Sequence, residues 1–229
     1  MQDPYLNTNR FNIIKEEHKL TKDFLVSEYG LTTNSECVLA DIGCGNGELI
    51  NYLITQFPKV SYLGFDKNPE YIKVAKSYAG TKQAKFNVSD VYDDIGLKAD
   101  IVICTGLIEL FENPETVVKS LIEHVASGGY LFMTGLFNDY DVQLKYRNNP
   151  EDEWSSNFNQ ISKQSLRKLF ANKFYNCSFK DMEIDLDLPF NKRSPLRTYT
   201  FKNQEGKTIL TNGLKIIKNK TLCCAKIKT

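Results

Sequence analysis

The sequence predicts an α/β fold built on a mostly parallel, doubly wound sheet with helices on both faces. Three observations predict it. Between residues 37 and 135, short apolar runs alternate with helix-compatible segments, the pattern of strands buried on both sides. The first run, Cys37 to Ile42, leads directly into three glycines at alternate positions, Gly43, Gly45 and Gly47. The next two runs each end at an acid, Asp66 and Asp90.

Taken in order, residues 12–29 carry Ile13, Ile14, Leu20, Phe24 and Leu25 among charges, which reads as an amphipathic helix ending near Gly30. Such a helix either lies across the mouth of the site that follows or packs on the sheet, and the sequence leaves both open. The strand at Cys37–Ile42 and its glycine turn feed a helix from Glu48 to Ile54, closed by Phe57-Pro58. A second strand, Val60–Phe65, is followed by a helix from Pro69 to Tyr78, with proline in its first turn. Ala84–Val88 and Asp100–Thr105 read as the third and fourth strands. Pro114 opens a helix over 114–126, and Gly128-Gly129 turns the chain into a strand at Tyr130–Thr134. After Gly135 the alternation stops, and 136–160 is polar and aromatic with little periodicity, which suggests a loop or lid. A helix at 162–173, a strand at Asn176–Leu186, a hairpin of Arg197–Lys202 with Thr208–Ile217, and a last strand at Thr221–Lys228 complete the expected elements.

Composition narrows the function. The chain has 229 residues and a formal charge of +1, which gives no electrostatic case for a nucleic-acid partner. Lys215, Lys218 and Lys220 read as a solvated strand end rather than a phosphate-binding patch. The six cysteines show no C-x-x-C spacing and mostly sit in apolar runs, as reduced core thiols do. Neither a signal peptide nor an apolar run near the ~20 residues that span a bilayer is visible, so a cytoplasmic protein is expected. No His/Cys/Asp cluster has metal-ligand spacing, and no metal is expected.

The chemistry gathers at one edge. In an open parallel sheet, ligands bind beyond the carboxyl ends of the strands. The glycine turn, Asp66, Asp90 and Gly106 all fall there. Glycines let the backbone turn sharply and approach a ligand closely, and the helix behind them presents unpaired N–H groups. Asp66 stands 19 residues beyond Gly47 and can accept both hydroxyls of a ribose. Asp90 suits an exocyclic amine such as adenine N6. Each acid, taken singly, could equally cap the next helix.

Asp41-Ile42-Gly43-Cys44-Gly45-Asn46-Gly47 resembles the glycine motif of class I S-adenosylmethionine-dependent methyltransferases. Gly64-Phe65-Asp66-Lys67-Asn68, Val88-Ser89-Asp90-Val91, Asp100–Glu109 and Gly128-Gly129-Tyr130 match in order, so the resemblance covers residues 36–137. It implies a Rossmann-like seven-stranded sheet with the last strand antiparallel, a C-terminal hairpin and a lid insertion. It also implies one methyltransferase domain: 1–35 a helical cap, 36–137 the cofactor-binding core, 138–229 the lid, hairpin and closing strands. Gly43, Gly45 and Gly47 would hold the methionine part of S-adenosylmethionine, with Asp41 serving its amino-acid end. Asp66 would take the ribose, with Lys67 and Asn68 beside it. Asp90 with Val91, next to Ser89, would take the adenine. Thr105 and Gly106, followed by Leu107, would flank the sulfonium. The product would be S-adenosylhomocysteine. A dehydrogenase of related fold would space its glycines G-x-G-x-x-G, which this chain does not.

Two departures narrow the acceptor. The Asn/Asp-Pro-Pro-aromatic tetrad typical of enzymes that modify base amines is replaced by Cys104-Thr105-Gly106-Leu107, and the Glu-His pair of many small-molecule members reads Glu109-Leu110. Only His18 and His124 are present, and His124 is expected at a surface helix end away from the site. The C-terminal part, Asp185-Leu186-Asp187-Leu188-Pro189 through Pro195-Leu196-Arg197-Thr198-Tyr199 and Asn212-Gly213, resembles small-molecule methyltransferases carried with bacterial surface-sugar biosynthesis genes, and that resemblance implies a small polar metabolite, such as a modified sugar, as the acceptor. Methylation is expected on N, or on O with a carboxylate or tyrosine as base. A protein or RNA methyltransferase, or a non-catalytic scaffold of the same fold, is the alternative. Glu109, Asp139, Tyr140 and Trp154 are the acceptor-side candidates, and the sequence carries no indication of oligomeric state.

Overall fold

The computed structural model describes residues 3, 6–78, 84–137, 139, 141–143, 145, 146, 151, 156, 157, 159–171, 177–183, 185–191 and 197–212. Two compact units divide the chain, Met1–Lys180 and Asp181–Thr229.

In the first unit, β1 (Val38–Ile42), β2 (Ser61–Asp66), β3 (Ala84–Val88), β4 (Ala99–Thr105) and β5 (Val125–Thr134) form a sheet in the order β3-β2-β1-β4-β5, with every pairing parallel. Between them run α2 (Glu48–Gln56), α3 (Pro69–Tyr78) and α4 (Pro114–Glu123), and α1 (Glu16–Tyr29) precedes the sheet. Strand order reverses between β1 and β4, so the glycine turn opens at the crevice where such sheets bind ligands.

Side-chain parity explains why helices cover both faces. Leu39, Ile101 and Ile103 point to one side and pack with Leu25 of α1, Leu53 of α2 and Ile72 of α3. Ala40, Val102 and Cys104, one residue out of phase, pack with Val117 and Leu121 of α4 and Leu166 of α5 (Lys163–Phe170). Tyr62, 1% exposed, donates its hydroxyl to the carbonyls of Leu53 and Phe57 and so ties off the end of α2.

Several expected boundaries move. The first helix begins at Glu16, because residues Thr8–Asn12 form a separate 3-10 turn capped by Asn7; Gly30 ends α1 in the left-handed conformation. The Gly128-Gly129 pair does not turn the chain into the fifth strand but sits inside it. Ala99 pairs with Val125 and Ile101 with Tyr130, so the extra residues bulge outward. Gly129 is needed there because a Cβ would stand 2.8 Å from the Asp100 carbonyl oxygen. α4 correspondingly stops at Glu123.

The segment after β5 contains a short antiparallel ladder, β6 (Lys145–Tyr146) with β7 (Ser156–Asn157), and a bridge from Val142 to Gln160. Ser162 caps α5, its hydroxyl accepting from Ser165 N–H, and Asp141 holds that cap in place, accepting from the Ser162 N–H and the Ser165 hydroxyl.

In the second unit, β8 (Tyr199–Lys202) and β9 (Thr208–Thr211) pair as a hairpin where one was expected, and residues 213–217 of its expected second strand lie outside the described residues. The Asn203 side chain organises its turn by accepting from the N–H groups of Glu205 and Lys207. Of the strand expected at Asn176–Leu186, the described residues make only one bridge, Glu183 to Ile209. The strand expected at Thr221–Lys228 lies outside the described residues, and among those described the main sheet has five strands.

Candidate active site at the carboxyl edge of the sheet

β1 is buried up to its end, and the chain then leaves the sheet through Gly43, Gly45 and Gly47 at φ 79°, 54° and 83°. Residues with a Cβ avoid this left-handed region at a cost of about 1–2 kcal/mol each. The turn is clamped from β2: Gly43 and Cys44 N–H both donate to the Phe65 carbonyl, at 2.7 and 2.9 Å. A Cβ on Gly43 would lie 2.6 Å from Leu107 Cδ2, and one on Gly47 would lie 2.9 Å from the Phe86 ring. No side chain caps the first turn of α2.

Asp66 joins the two halves of this turn. One carboxylate oxygen accepts from Gly45 N–H and the other from Asn68 N–H, both at 2.8 Å. Asn68 in turn accepts from Glu70 N–H at the start of α3. The capping role and the ligand role are thus compatible, since each carboxylate oxygen keeps a further lone pair for a hydroxyl. Asp41 is 1% exposed, and its Oδ1 has no hydrogen-bond partner among the described residues. Burial, with Asp66 adding to it, pushes the Asp41 carboxyl up to about 7.

Further along the edge, Asp90 is half-buried and accepts from Tyr92 N–H. Asp93 fixes that loop, accepting from Asp90 N–H at 2.7 Å and from the Ser89 hydroxyl at 3.2 Å. Val91 is buried and its carbonyl takes the Ser120 hydroxyl. Gly106, at φ 60°, donates its N–H to the Thr134 hydroxyl, and Leu107 closes over Gly43. Lys67 is exposed.

The N-terminal segment is drawn onto this site. Glu48, 7% exposed at the start of α2, pairs with Arg10 at 2.6 Å and Lys15 at 2.5 Å, and accepts from the Asn46 amide at 3.1 Å. Burial would raise its pKa, but Lys15, Asn46 and Arg10 together hold it below the ordinary value. Phe11 stacks on Tyr78 at 3.8 Å, and Tyr71 donates to Asp3 at 2.6 Å, so α3 is also covered. The two placements open for the first helix are combined. Leu25 packs in the core and Phe24 meets Phe132 edge-on, while Glu17 in the first turn reaches the carboxyl edge and accepts from the Thr134 hydroxyl at 3.2 Å.

On the acceptor side, Glu109 lies on a 3-10 turn, Ile108–Leu110, and is 5% exposed. Its Oε1 accepts from Leu136 N–H at 2.8 Å. Burial raises its pKa, with Glu17 adding to the rise and the backbone N–H groups of Glu109 and Leu136 opposing it. Asn159 backs this turn: its N–H donates to the Glu109 carbonyl, and its amide donates to the carbonyls of Phe111 and Glu112 at 2.6 and 3.2 Å. Asp139 is exposed, and Tyr140 and Trp154 lie outside the described residues.

The two histidines sit in different places. His18 packs near Tyr52 with its pKa lowered to about 4, by burial first and then by Lys15 and Arg10, against Glu48. His124 caps α4 but is 5% exposed rather than on the surface, its carbonyl accepting from Ala99 N–H at the opposite end of β4. Sequence patterns missed Arg10, Lys15, Glu17, Glu48, Asp93 and Asn159. Glu17 and Glu48 carried a local signal, but an acid in a helix's first turn is already accounted for by the dipole.

A parallel sheet that reverses order beside a glycine turn, with an acid closing the second strand, defines the nucleoside-cofactor class of α/β domain. Within it, the chain belongs to the methyltransferase domain family, whose model matches residues 33–174. It is 26% identical over 170 residues to the malonyl-[acyl-carrier protein] O-methyltransferase of Priestia megaterium, covering 74% of this chain and 58% of that protein. The chain spans about half the length of the curated relatives it matches. Among solved structures, it resembles a chain from the complex between the Haloferax volcanii Trm112 methyltransferase activator and a methyltransferase, with a TM-score of 0.59 at 16% identity, covering 93% of this chain and 98% of that one. Coclaurine N-methyltransferase bound to N-methylheliamine and SAH aligns with a TM-score of 0.51 at 12% identity, over 66% of this chain and 47% of that one. Both likenesses are of fold.

Proposed function

We propose that the chain is an S-adenosylmethionine-dependent methyltransferase acting on an N or O atom of a small polar metabolite, with a modified sugar as the first acceptor class to try. The observation that carries the cofactor assignment is the unpartnered, buried Oδ1 of Asp41 beneath the glycine turn. A buried acceptor without a donor costs about 1–3 kcal/mol, and the ammonium of the cofactor's amino-acid end, directly or through water, would satisfy it. The glycine turn fits the same group, because its three positive-φ glycines carry no side chains to keep a ligand from the backbone.

When bound, S-adenosylmethionine supplies an electrophilic methyl on a positive sulfur. The chain's own residues bind and orient. Gly43, Gly45 and Gly47 hold the methionine portion. Asp66 accepts from the ribose hydroxyls while it keeps Gly45 and Asn68 in place, and Asp90 and Val91 receive the adenine. Thr105 and Gly106 border the reacting centre, and residues 1–35 cap the cofactor half and exclude water from it.

Calorimetric titration of the full chain with S-adenosylhomocysteine and, in parallel, with NAD tests this. Saturable one-to-one uptake of S-adenosylhomocysteine, lost in Asp66→Ala, is expected. Uptake of NAD instead, or of neither, overturns it.

A further inference from the structure

The glycine turn commits most of its own N–H groups internally. Gly43 and Cys44 donate to the Phe65 carbonyl, Gly45 donates to Asp66, and Gly47 donates to the Cys44 carbonyl at 3.0 Å. The orphan Oδ1 of Asp41, two residues before the turn in β1, calls for a donor and fits a cationic one. An amino-acid end carries its ammonium and its carboxylate on one carbon. With the ammonium at Asp41, donors for the carboxylate must come from close by, and from outside those four backbone groups.

The N-terminal segment brings such donors to the turn. The bond from Gly47 to Cys44 folds the turn back toward the end of β1, and Glu48 opens α2 one residue later. Glu48 Oε1 accepts from Arg10 Nε at 2.6 Å and from the Asn46 amide at 3.1 Å. Asn46 lies inside the turn and is 1% exposed, so a single oxygen joins the guanidinium to the turn. Lys15 reaches the other oxygen of the same carboxylate with an ammonium that carries three N–H donors. Two cations thus converge on one acid beside the glycines, both held in place before any ligand arrives. His18, its pKa lowered to about 4, is neutral at pH 7 and brings no further charge. A carboxylate entering here meets positive charge on the side of the N-terminal segment.

We infer that Arg10 and Lys15 bind the carboxylate of the cofactor's amino-acid end, with Glu48 positioning both cations, so that the N-terminal segment selects nucleosides that carry this group. The inference rests on the methyltransferase reading and assigns recognition of one end of its cofactor. Arg10 and Lys15 touch the ligand; Glu48 acts through them. Charge-assisted hydrogen bonds are the whole of the interaction, and no covalent bond forms or breaks.

The test is calorimetric titration of the full chain with S-adenosylhomocysteine and two analogues. In 5′-(3-aminopropylthio)-5′-deoxyadenosine, hydrogen replaces the carboxylate. In 5′-(3-carboxypropylthio)-5′-deoxyadenosine, hydrogen replaces the ammonium. The parent should bind S-adenosylhomocysteine about 30-fold tighter than the aminopropyl compound, the scale of a charge-assisted hydrogen bond. Arg10→Met should lower affinity for S-adenosylhomocysteine and for the carboxypropyl compound about tenfold. Lys15→Met, whose side chain is more exposed, should lower both about threefold. Neither variant should change affinity for the aminopropyl compound, and Lys15→Arg, which keeps the charge, should retain the parent's preference. Asp41→Asn should do the reverse, weakening the two ammonium-bearing ligands and sparing the carboxypropyl compound. Equal losses for all three ligands in Arg10→Met and Lys15→Met overturn the inference, because the segment then only covers the nucleoside. A preference for S-adenosylhomocysteine that survives both substitutions also overturns it and gives the carboxylate to the N–H groups that open α2. So does a parent that binds S-adenosylhomocysteine and the aminopropyl compound alike, or an Asp41→Asn protein that loses the carboxypropyl compound instead. Failure of the parent to bind any of the three removes the methyltransferase reading itself and this recognition with it.

Discussion

The cofactor half and the acceptor half of the edge are built by different means. The first is held by backbone: Gly43, Cys44, Gly45 and Asn68 all present N–H groups to β2 or to the acid that ends it. The bond that pins it, Gly45 to Asp66, joins residues 21 apart. The second is held by side chains from remote segments, Thr134 to Glu17 across 117 positions and Asn159 to Phe111 across 48. A site made of backbone conformation tolerates little change at its turns. A site made of converging side chains can be altered one residue at a time while the fold stands.

The largest expected effect follows from the first half. Gly43→Ala places a Cβ 2.6 Å from Leu107 Cδ2 at φ 79°. Strain of about 1–2 kcal/mol adds to the displacement of Leu107, and affinity for S-adenosylhomocysteine should fall more than about 100-fold, roughly 3 kcal/mol. Gly96→Ala is the control: φ is 69°, but nothing lies within 4 Å of its Cβ position, so it should cost stability by strain alone. Equal binding losses in the two, measured by calorimetry, would remove steric closure by Leu107 from the account.

The second effect is a pH dependence concealed in the parent. His18 has a folded pKa of about 4, below its ordinary 6.5. Its contribution is intact above pH 6.5 and is lost as pH falls toward 4, on the order of 3 kcal/mol. Asp41 has a folded pKa of about 7, above 3.8. Its contribution is full below pH 3.8 and is lost as pH rises through 7, by a similar order. The two slopes oppose each other between pH 4 and 6.5. Asp41→Asn should therefore expose a loss of stability on acidification in the ligand-free protein, read by denaturant unfolding at several pH values. An unchanged slope would show that Asp41 ionises normally, with a donor to its Oδ1 in solution.

Asp66→Asn comes next. Its amide supplies one acceptor where two backbone N–H groups now bond and turns a donor toward the other, so about 2 kcal/mol of stability should be lost, together with about tenfold or more in affinity for S-adenosylhomocysteine. Retained affinity with lost stability would reduce Asp66 to a cap for the turn and α3.

This division also marks what could be read from the chain alone. The strands at Ala84–Val88 and Ala99–Thr105, the helix at Pro69–Tyr78 and the glycine turn are encoded locally, by apolar runs, a first-turn proline and residues suited to positive φ. Gly128-Gly129 was legible as a break but not as a bulge, because only the partner strand decides whether extra residues turn the chain or push out of a ladder. Glu109 was legible from its place after the fourth strand. Glu17 was not, since it looks like one more charge on an amphipathic helix until Thr134 is brought beside it. Asn159 lies in a stretch without periodicity, and only its burial reveals it.

The smallest effect concerns the strap that joins the two halves. Arg10 and Lys15 reach Glu48 with side chains 22% and 36% exposed, so solvent screens much of the attraction. Glu48→Gln should therefore cost only about 1 kcal/mol despite the burial of the carboxylate. The folded pKa of Glu48 is depressed, so this contribution is present above the ordinary value of 4.5 and is lost as pH falls below it. Global unfolding will barely register the change, whereas local opening will, because the Glu48 pairs act beside surface contacts, among them Phe11 on Tyr78, Tyr71 on Asp3 and Tyr78 on Asn12, in tying the N-terminal segment to α2 and α3. Limited proteolysis at neutral pH should cleave the variant before Glu16 several times faster than the parent, and bound S-adenosylhomocysteine should slow the parent's cleavage. Equal rates in parent and variant would mean that ring stacking alone holds the strap, and that the two cations converge on Glu48 without closing anything.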